Sequence, residues 1–331
     1  MTVDTVFKDD KEKGFLISAI VCAFFIIIPI WVTFFGVRER ELSPEQIANA
    51  GPSIGFFEGL KLALRNRAYV FLTLLYLFSW LAVQFVQNNL RLYINEAVKM
   101  PSHFTYLLVV VLLSTFVFIT VWSIRIVRHG KKKTFAQAMS IFFFVLVALT
   151  FIPAGEHDNP LGLTLMYMCA LFAGAGVGAG FLIPWAMLPD VVDLDELQTG
   201  QRREGTFYSF FVFFQKMALG FALFLSQFAL ALGKYDTEAA IGKDGKEEEI
   251  VQPKSVGLVL RLLVGPISAA FLLISFAFVK FYPITAESAR KVADELDERK
   301  AKREAGLPED THLLMNPAEE TFVEKSTHRA Q

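Results

Sequence analysis

The sequence has little charge for its length, and its basic residues are spread out. Of its 331 residues, 20% are Asp, Glu, Lys or Arg, and the formal net charge is −1. The Lys and Arg residues stand in blocks between apolar runs rather than in one patch with interleaved aromatic residues. A nucleic-acid groove needs such a basic patch, so we expect no nucleic-acid partner.

Cysteine is also scarce. The only two, Cys22 and Cys169, both lie inside apolar runs, where a cysteine is most often a small packing residue. No second ligand stands at a usable spacing from either thiol. We therefore predict neither a disulfide nor a metal site.

The motifs of common catalytic sites are absent as well. The sequence contains no Walker loop, zincin helix, nucleophile elbow or dinucleotide-binding fingerprint, the patterns that place phosphates, metals, nucleophiles or cofactors. We expect neither an enzyme nor a cofactor. Without ATP hydrolysis, uphill movement of a solute would draw on an ion gradient, which leaves secondary transport or a receptor-like role.

The chain is instead rich in long apolar runs. Hydrophobic residues make up 54% of it and the mean hydropathy is +0.44, more than a soluble core of this size needs. A membrane interior of roughly 30 Å requires about 20 apolar residues per helix. A scan at that width predicts an all-α membrane protein with seven spans, near residues 14–37, 68–90, 104–127, 134–153, 161–188, 205–232 and 256–282.

The positions of Lys and Arg predict how these spans are oriented. Basic blocks follow the first, third and fifth spans, the densest running from Arg128 to Lys133, while the other connections are mixed or acidic. Positive residues favour the cytoplasmic side, so we expect the C-terminus inside, the N-terminus outside and a location in the plasma membrane. Lys8, Lys11 and Lys13 count against this orientation. We expect the basic block to pair with acidic residues of a neighbouring cytoplasmic connection.

Changes in hydropathy divide the chain into four parts. They are an outer N-terminus with the first span (1–37), a cytoplasmic linker (38–67), six further spans (68–282) and a cytoplasmic tail (283–331).

Two amphipathic patterns lie outside the spans. After Ser53, a candidate N-cap, an apolar stripe from Phe56 to Leu64 predicts a short helix. That helix either lies on the inner leaflet or packs on the inner face of the bundle. In the tail, pairs of opposite charge four residues apart predict a solvated helix over 285–304.

The fifth span carries glycine at every second position from Gly174 to Gly180. These residues form two interleaved small-xxx-small pairs, which let helices approach closely. Pro184 and Pro189 are expected to bend and then end this helix. A short charged loop should follow.

A lysine in the sixth span predicts a polar passage. An ammonium in the middle of a lipid-spanning helix costs about 2.5–3.5 kcal/mol, so such a residue usually faces a polar cavity. Ser209, Lys216, Gly220 and Gln227 fall within about 40° of one another on a helix of 100° per residue. We expect this stripe to point inward, with Lys216 and Gln227 lining a path for a solute.

The second span carries a comparable stripe. Trp80, Gln84, Gln87 and Arg91 recur at helical spacing. Polar side chains on one stripe of an apolar helix face protein or water rather than lipid. Gln84 and Gln87 therefore either line the cavity, together with Trp80, or make hydrogen bonds between helices.

The segment Pro184-Trp185-Ala186-Met187-Leu188-Pro189-Asp190 and the charged stretch after it resemble the glycoside-pentoside-hexuronide:cation symporters of the major facilitator superfamily. The resemblance extends from Asn66 to Tyr282, and its most specific part runs through Arg202 and Tyr208 to Lys216. It implies that Lys216 lies close to a central site. It also implies a cytoplasmic gate of ion pairs, formed by Asp190, Asp193, Glu196, Arg202, Arg203 and Glu204.

The resemblance further implies a partial major facilitator fold, with the seven spans equivalent to helices 6–12. In that frame the first span is similar to helix 6, and the site lies between two helical halves. The coupling cation, Na⁺ or H⁺, would then bind mainly in the N-terminal half, which the chain is expected to lack. We expect no transport by this chain without that half.

Together these observations predict a cation-coupled symporter that works by alternating access. The substrate is expected to be a sugar or glycoside, which Trp80, Gln84 and Gln87 would suit, or a lysophospholipid, which the Phe-rich sixth span would suit. Two alternatives are a seven-helix receptor and a transport-dead half that regulates or pairs with another protein.

Overall fold

The computed structural model describes residues 11–37, 55–155, 160–236 and 252–304. Lys8, Ser53 and most of the predicted linker lie outside these ranges. Seven helices in the described part of the chain are long and apolar enough to cross a membrane. The prediction of an all-α protein with seven spans is confirmed.

The first helix, α1, runs from Lys11 to Gly36 and belongs to a different compact unit from the helices that follow Gly55. From Phe15 onward its side chains are almost all exposed, and it carries no charge after Lys13. A helix that is apolar on every side needs lipid or protein around it.

The second unit is a helical bundle. Its helices are α2 (Phe56–Arg65), α3 (Arg67–Leu92), α4 (Phe104–His129), α5 (Lys131–Phe151), α6 (Pro160–Thr199), α7 (Glu204–Leu232), α8 (Lys254–Leu262), α9 (Ser268–Phe281) and α10 (Ala286–Glu304). A π-helical turn, Tyr93–Ala97, extends α3, and another, Leu263–Ile267, joins α8 to α9 within one span.

The α3 helix lies at the centre of this bundle, against α6, α7 and α9. It begins at Asn66, whose side chain accepts a hydrogen bond from the Tyr69 amide (3.1 Å). The Tyr69 hydroxyl donates to the Phe207 carbonyl of α7 (3.1 Å), and Asn89 donates to Ser226 Oγ (2.9 Å). Polar groups of neighbouring helices thus satisfy one another, as a lipid environment requires.

The glycine pattern of α6 separates two packing surfaces. A methyl group on Gly174 would collide with Ser114 and Thr115 of α4, and one on Gly176 would collide with the Phe142 ring of α5. The Trp122 indole of α4 donates to the Ala175 carbonyl (2.9 Å) between them. The interleaved glycine pairs are therefore helix-packing sites, as predicted, and they let α6 lie between α4 and α5.

The predicted end of α6 is wrong. The helix continues through Pro184 and Pro189 to Thr199, so Asp190, Asp193 and Glu196 stand on a helix rather than in a loop. A proline removes one backbone donor, but packing can hold the helix together on either side of it. Val191 and Leu194 are buried along this extension, which supplies that packing.

The short helix α2 packs on the bundle. Gly59 and Ala63 form its buried side against α3 and α7, and the Phe56 ring meets Phe210 at 5.2 Å. Phe57 and Leu64 remain exposed on its other side. These contacts agree with a helix packed on the bundle, and a position on the inner leaflet stays a prediction.

The tail helix α10 exists as predicted, with Glu287–Lys291 (3.2 Å) and two further predicted pairs four residues apart. The expectation that it is solvated all round is wrong. Val292 and Leu296 are buried, and the helix packs on α6. Arg299 also donates to the Leu197 carbonyl (3.1 Å) near the end of α6.

Candidate functional site

Three helices meet at one polar contact inside the bundle. Tyr76 Oη of α3 accepts hydrogen bonds from Trp185 Nε1 of α6 (3.2 Å) and from Gln215 Nε2 of α7 (2.6 Å). Because two donors occupy its lone pairs, the Tyr76 hydroxyl can offer its own proton to a further acceptor. The sequence analysis missed Tyr76 and Gln215 as site residues. Tyr76 lies four residues before Trp80, so extending the predicted stripe by one helical turn would have found it.

Aromatic rings surround this contact. Phe211 stacks on Tyr76 at 4.6 Å between ring centroids and meets Trp185 edge-on at 5.5 Å. Trp80 packs edge-on against Phe181 at 4.9 Å. Trp80 was predicted to line the cavity. In the structure it is 6% exposed and packs among aromatic rings. Its indole N–H has no hydrogen-bond partner among the described residues.

The two glutamines of α3 occupy different environments. Gln84 is buried in the bundle, whereas Gln87 is exposed and lines a pocket. The predicted stripe therefore does not form one continuous polar surface, because neighbouring helices cover its first half.

That pocket has a volume of about 270 Å³ and lies between α3, α4, α5 and α6. Its lining is mainly aliphatic and aromatic and includes Leu107, Val111, Phe142 and Met166. Gln87 contributes a side-chain amide to this lining. A pocket with this lining suits an apolar group far better than a polyol, because each buried hydroxyl without a partner costs about 1–3 kcal/mol.

The predicted stripe of α7 lies on the exposed side of the described bundle. Ser209, Lys216, Gly220 and Gln227 are all exposed, while Phe207 and Phe211 are buried. Lys216 and Gln227 are therefore on a different surface from Gln84 and Trp80. An amine left against lipid here would carry the insertion cost given above.

Arg202 joins three of the predicted gate carboxylates. Its guanidinium lies 2.6 Å from Glu196 and 3.5 Å from Asp193, and it also pairs with Glu204. Partial burial tends to lower the pKa of Arg202, but hydrogen bonds to Glu204 and Glu196 outweigh it and raise that pKa above its ordinary value. The cluster is half-exposed, so it is open to solvent or to another surface.

Arg203 makes a different kind of contact. It donates to Asp195 Oδ2 (2.8 Å), and the Asn66 side chain donates to the other Asp195 oxygen (3.3 Å). Asp195 is 5% exposed. This buried pair joins the α6–α7 turn to the start of α3. Asp195 was absent from the predicted gate because it is not one of the residues on which the resemblance rests.

The basic block after α4 pairs as predicted. Lys131 Nζ lies 2.6 Å from Asp190 Oδ1, although Asp190 stands on α6 itself rather than in a connection. The six predicted gate residues thus fall into three separate contacts, all within one bundle. In the described ranges no group of three or more His, Cys, Asp or Glu side chains could hold a metal ion.

Comparison with known proteins identifies the family. A family model described as MFS/sugar transport protein matches residues 3–286. The chain belongs to this family. This family is the glycoside-pentoside-hexuronide:cation symporter group of the major facilitator superfamily, as the resemblance implied, and it is a family of transporters rather than enzymes.

Three relatives of this chain illustrate the breadth of the family. The sodium-dependent lysophosphatidylcholine symporter 1-A of Danio rerio is 32% identical over 280 residues, covering 84% of this chain and 49% of the relative. The Synechocystis symporter sll1374 is 33% identical, covering 84% and 51%. The sphingosine-1-phosphate transporter MFSD2B of Xenopus tropicalis is 31% identical, covering 88% and 54%. The chain spans about half the length of these curated relatives.

Proposed function

We propose that this chain forms one half of a cation-coupled symporter whose substrate is a single-chain phospholipid. The observation that carries the proposal is the apolar pocket of about 270 Å³ beside Gln87. Small-molecule pockets usually exceed about 300 Å³, so this one is suited to part of a ligand, such as one acyl chain. Lysophosphatidylcholine and sphingosine-1-phosphate, which appear in the names of two relatives, each carry one long chain.

The charged end of such a lipid would lie near α7. Lys216 stands on an exposed face that includes Ser209 and Gln227, and its ammonium would pair with a phosphate group. This face would adjoin a water-filled passage shared with a second helical half, supplied by the same gene product or by another chain. The coupling cation, Na⁺ or H⁺, would bind mainly in that second half.

The Arg202 cluster would form the cytoplasmic gate in a plasma-membrane carrier. Arg202 and Glu204 are about half-exposed, while Asp193 and Glu196 are 30% and 16% exposed. Arg202 could therefore exchange carboxylate partners with another surface as the halves rock. The buried Arg203–Asp195 pair would instead hold α3, α6 and α7 together throughout the cycle, because separating buried charges is costly.

A sugar is the second candidate substrate, and the Tyr76–Trp185–Gln215 contact favours it. Aromatic rings and amide donors together suit a sugar ring, which has apolar faces and hydroxyl edges. The lipid and the sugar would bind in different parts of the bundle, so locating the bound ligand distinguishes the two candidates.

Photoaffinity labelling would locate it. The purified chain in phosphatidylcholine nanodiscs would be exposed to lysophosphatidylcholine with a diazirine on its acyl chain, and the labelled residues mapped by mass spectrometry. The proposal predicts labelling within 107–115 and 166–181, displaced by unlabelled lysophosphatidylcholine and not by melibiose. Ala170→Leu places a larger side chain in the pocket and should reduce the labelling of these two ranges several-fold.

Ala231→Leu is the matched control, because Ala231 is exposed at the end of α7 and does not line the pocket. Labelling spread evenly over lipid-exposed residues, or unaffected by Ala170→Leu, would contradict the lipid proposal. Displacement by melibiose, with labels near Tyr76, would favour the sugar.

A further inference from the structure

A second cavity, of about 350 Å³, lies where α4, α5, α6 and α10 meet, just beyond the end of α9. We call it the α5–α10 pocket. Its polar lining consists mainly of Lys131, Lys132, Asp190, Tyr282 and Arg290. Lys131 pairs with Asp190 at 2.6 Å, and Lys132 donates to the Lys280 (3.2 Å) and Tyr282 (2.6 Å) carbonyls. Three cationic residues and one carboxylate thus line the pocket, which leaves an excess of positive charge.

Two helix N-termini add to this positive field. Gly130 and Lys131 line the pocket at the start of α5, and Thr285 and Ala286 line it at the start of α10. The first amide groups of a helix carry partial positive charge and favour anions. Gly130 adopts a φ of +82°, and a methyl group on it would come within 2.8 Å of Ala286 Cβ. The two helix starts are therefore in close contact.

A buried hydroxyl lines the same pocket. Tyr282 is 2% exposed, and its Oη has no hydrogen-bond partner among the described residues. Burial, and then the Asp190 carboxylate, raise the pKa of Tyr282 well above its ordinary value, so the hydroxyl keeps its proton. Buried polar groups are normally paired. An anion in the pocket would give this hydroxyl an acceptor once neighbouring side chains shift enough to expose it.

Most of the remaining lining of the pocket is apolar. Ile126 and Val127 of α4 line the pocket, and Val127 is 73% exposed on the side of the bundle. The spans α4 and α9 end at His129 and Phe281, so the pocket is at the depth of the lipid headgroups. A ligand with a charged head and an apolar body could enter from the bilayer.

We propose that the α5–α10 pocket binds a phosphate group, either the headgroup of an anionic membrane lipid or free phosphate. Arg290 and the Tyr282 hydroxyl donate to it, and the charges of Lys131 and Lys132 attract it. Asp190 opposes binding, but Lys131 at 2.6 Å offsets its charge. The bound group bridges α5 and α10 and holds the tail helix against the bundle.

Thermal unfolding of the full chain tests this proposal. Four proteins would be compared in uncharged detergent: the wild type, Tyr282→Phe, Arg290→Gln and Lys291→Gln. Each would be heated with phosphatidylcholine alone, with added phosphatidic acid, or with inorganic phosphate. Lys291→Gln is the matched control, because Lys291 is the next residue of α10, loses the same charge and does not line the pocket.

We expect phosphatidic acid to raise the melting temperature of the wild type and of Lys291→Gln. The phosphatidic acid concentration that gives half of the maximal rise should be about ten-fold higher for Arg290→Gln and Tyr282→Phe. A ten-fold change in affinity corresponds to the loss of about one charged hydrogen bond. Without anion, Tyr282→Phe should melt at the wild-type temperature or above it, since it removes an unpaired buried hydroxyl. If inorganic phosphate also raises the melting temperature, the free ion is sufficient as the ligand. If only phosphatidic acid raises it, the ligand is the lipid headgroup.

An equal rise in all four proteins would overturn the proposal, as would no rise in the wild type with either probe. So would loss of the effect in Lys291→Gln, which would indicate diffuse charge attraction. If Tyr282→Phe fails to fold, amide hydrogen exchange over residues 286–304 in wild type, Arg290→Gln and Lys291→Gln decides the matter. Anion should slow that exchange in wild type and Lys291→Gln only.

Discussion

The ion pairs near the α6–α7 turn make a quantitative prediction, because two neighbouring arginines sit in opposite environments. The side chains of Arg203 and Asp195 are 14% and 7% exposed, whereas Arg202 is 46% exposed and its partner Glu196 is 16% exposed. We predict that Asp195→Ala greatly destabilises the fold and that Glu196→Ala does not, although both remove a carboxylate that pairs with an adjacent arginine.

The magnitude follows from burial. Removing one partner of a buried ion pair costs about 3–5 kcal/mol, because the other charge stays desolvated. Asp195→Ala also removes an acceptor for Asn66, whose side chain caps α3. Glu196→Ala should cost only about 0–1 kcal/mol, because Arg202 is half-exposed to solvent and keeps Asp193 and Glu204 as partners. The free energies of unfolding of the two variants should therefore differ by about 2–5 kcal/mol.

A double-mutant cycle separates the pair from its surroundings. The free energy of unfolding would be measured for wild type, Asp195→Leu, Arg203→Met and the double variant in mixed micelles. Because the double variant leaves no unpaired buried charge, it should be more stable than either single variant. Additive losses, or an Asp195→Ala variant as stable as Glu196→Ala, would refute the reasoning.

Three further variants test the packing and the polar contacts of the bundle by the same unfolding measurement. Gly176→Ala should cost about 1–3 kcal/mol through overlap with the Phe142 ring, while Gly180→Ala, where the nearest atoms are 3.8 Å away, should be neutral or stabilising; equal effects would contradict the packing assignment. Arg261→Met should cost at least about 1.5–3 kcal/mol, because Arg261 donates to three carbonyls at the ends of two helical segments, and an unchanged stability would show those ends to be hydrated. Asn89→Leu should cost only about 0.6–2 kcal/mol, the value of one hydrogen bond between membrane helices, and a larger loss would indicate a role beyond that bond.

Much of the fold could be predicted because membrane spans depend on local composition. A run of about 20 apolar residues must be helical in lipid, so the seven spans follow from the sequence. Gly174 and Gly176 marked the helix contacts correctly because close approach requires small residues. Glu295 and Arg299 pair as predicted because residues four apart are neighbours on any helix.

The errors arose where tertiary packing decides the outcome. Pro189 predicts a helix end locally, but the buried side chains of Val191 and Leu194 keep α6 helical to Thr199. That extension in turn buried Asp195, which was read as part of a solvated loop. The stripe of Gln84 and Gln87 was divided because other helices cover only one of them, and periodicity on a single helix cannot show which face its neighbours occupy.

The proposed passage requires that Lys216 face water inside the membrane. In a background with Cys22→Ser and Cys169→Ala, single cysteines would replace Lys216, Gln227 and Phe221, which lies about 140° from Lys216 around α7. We predict that a membrane-impermeant thiol reagent labels the first two positions in intact membranes and leaves position 221 unlabelled. Protection of position 216 to the same degree as position 221 would place the lysine against lipid and contradict the proposed passage.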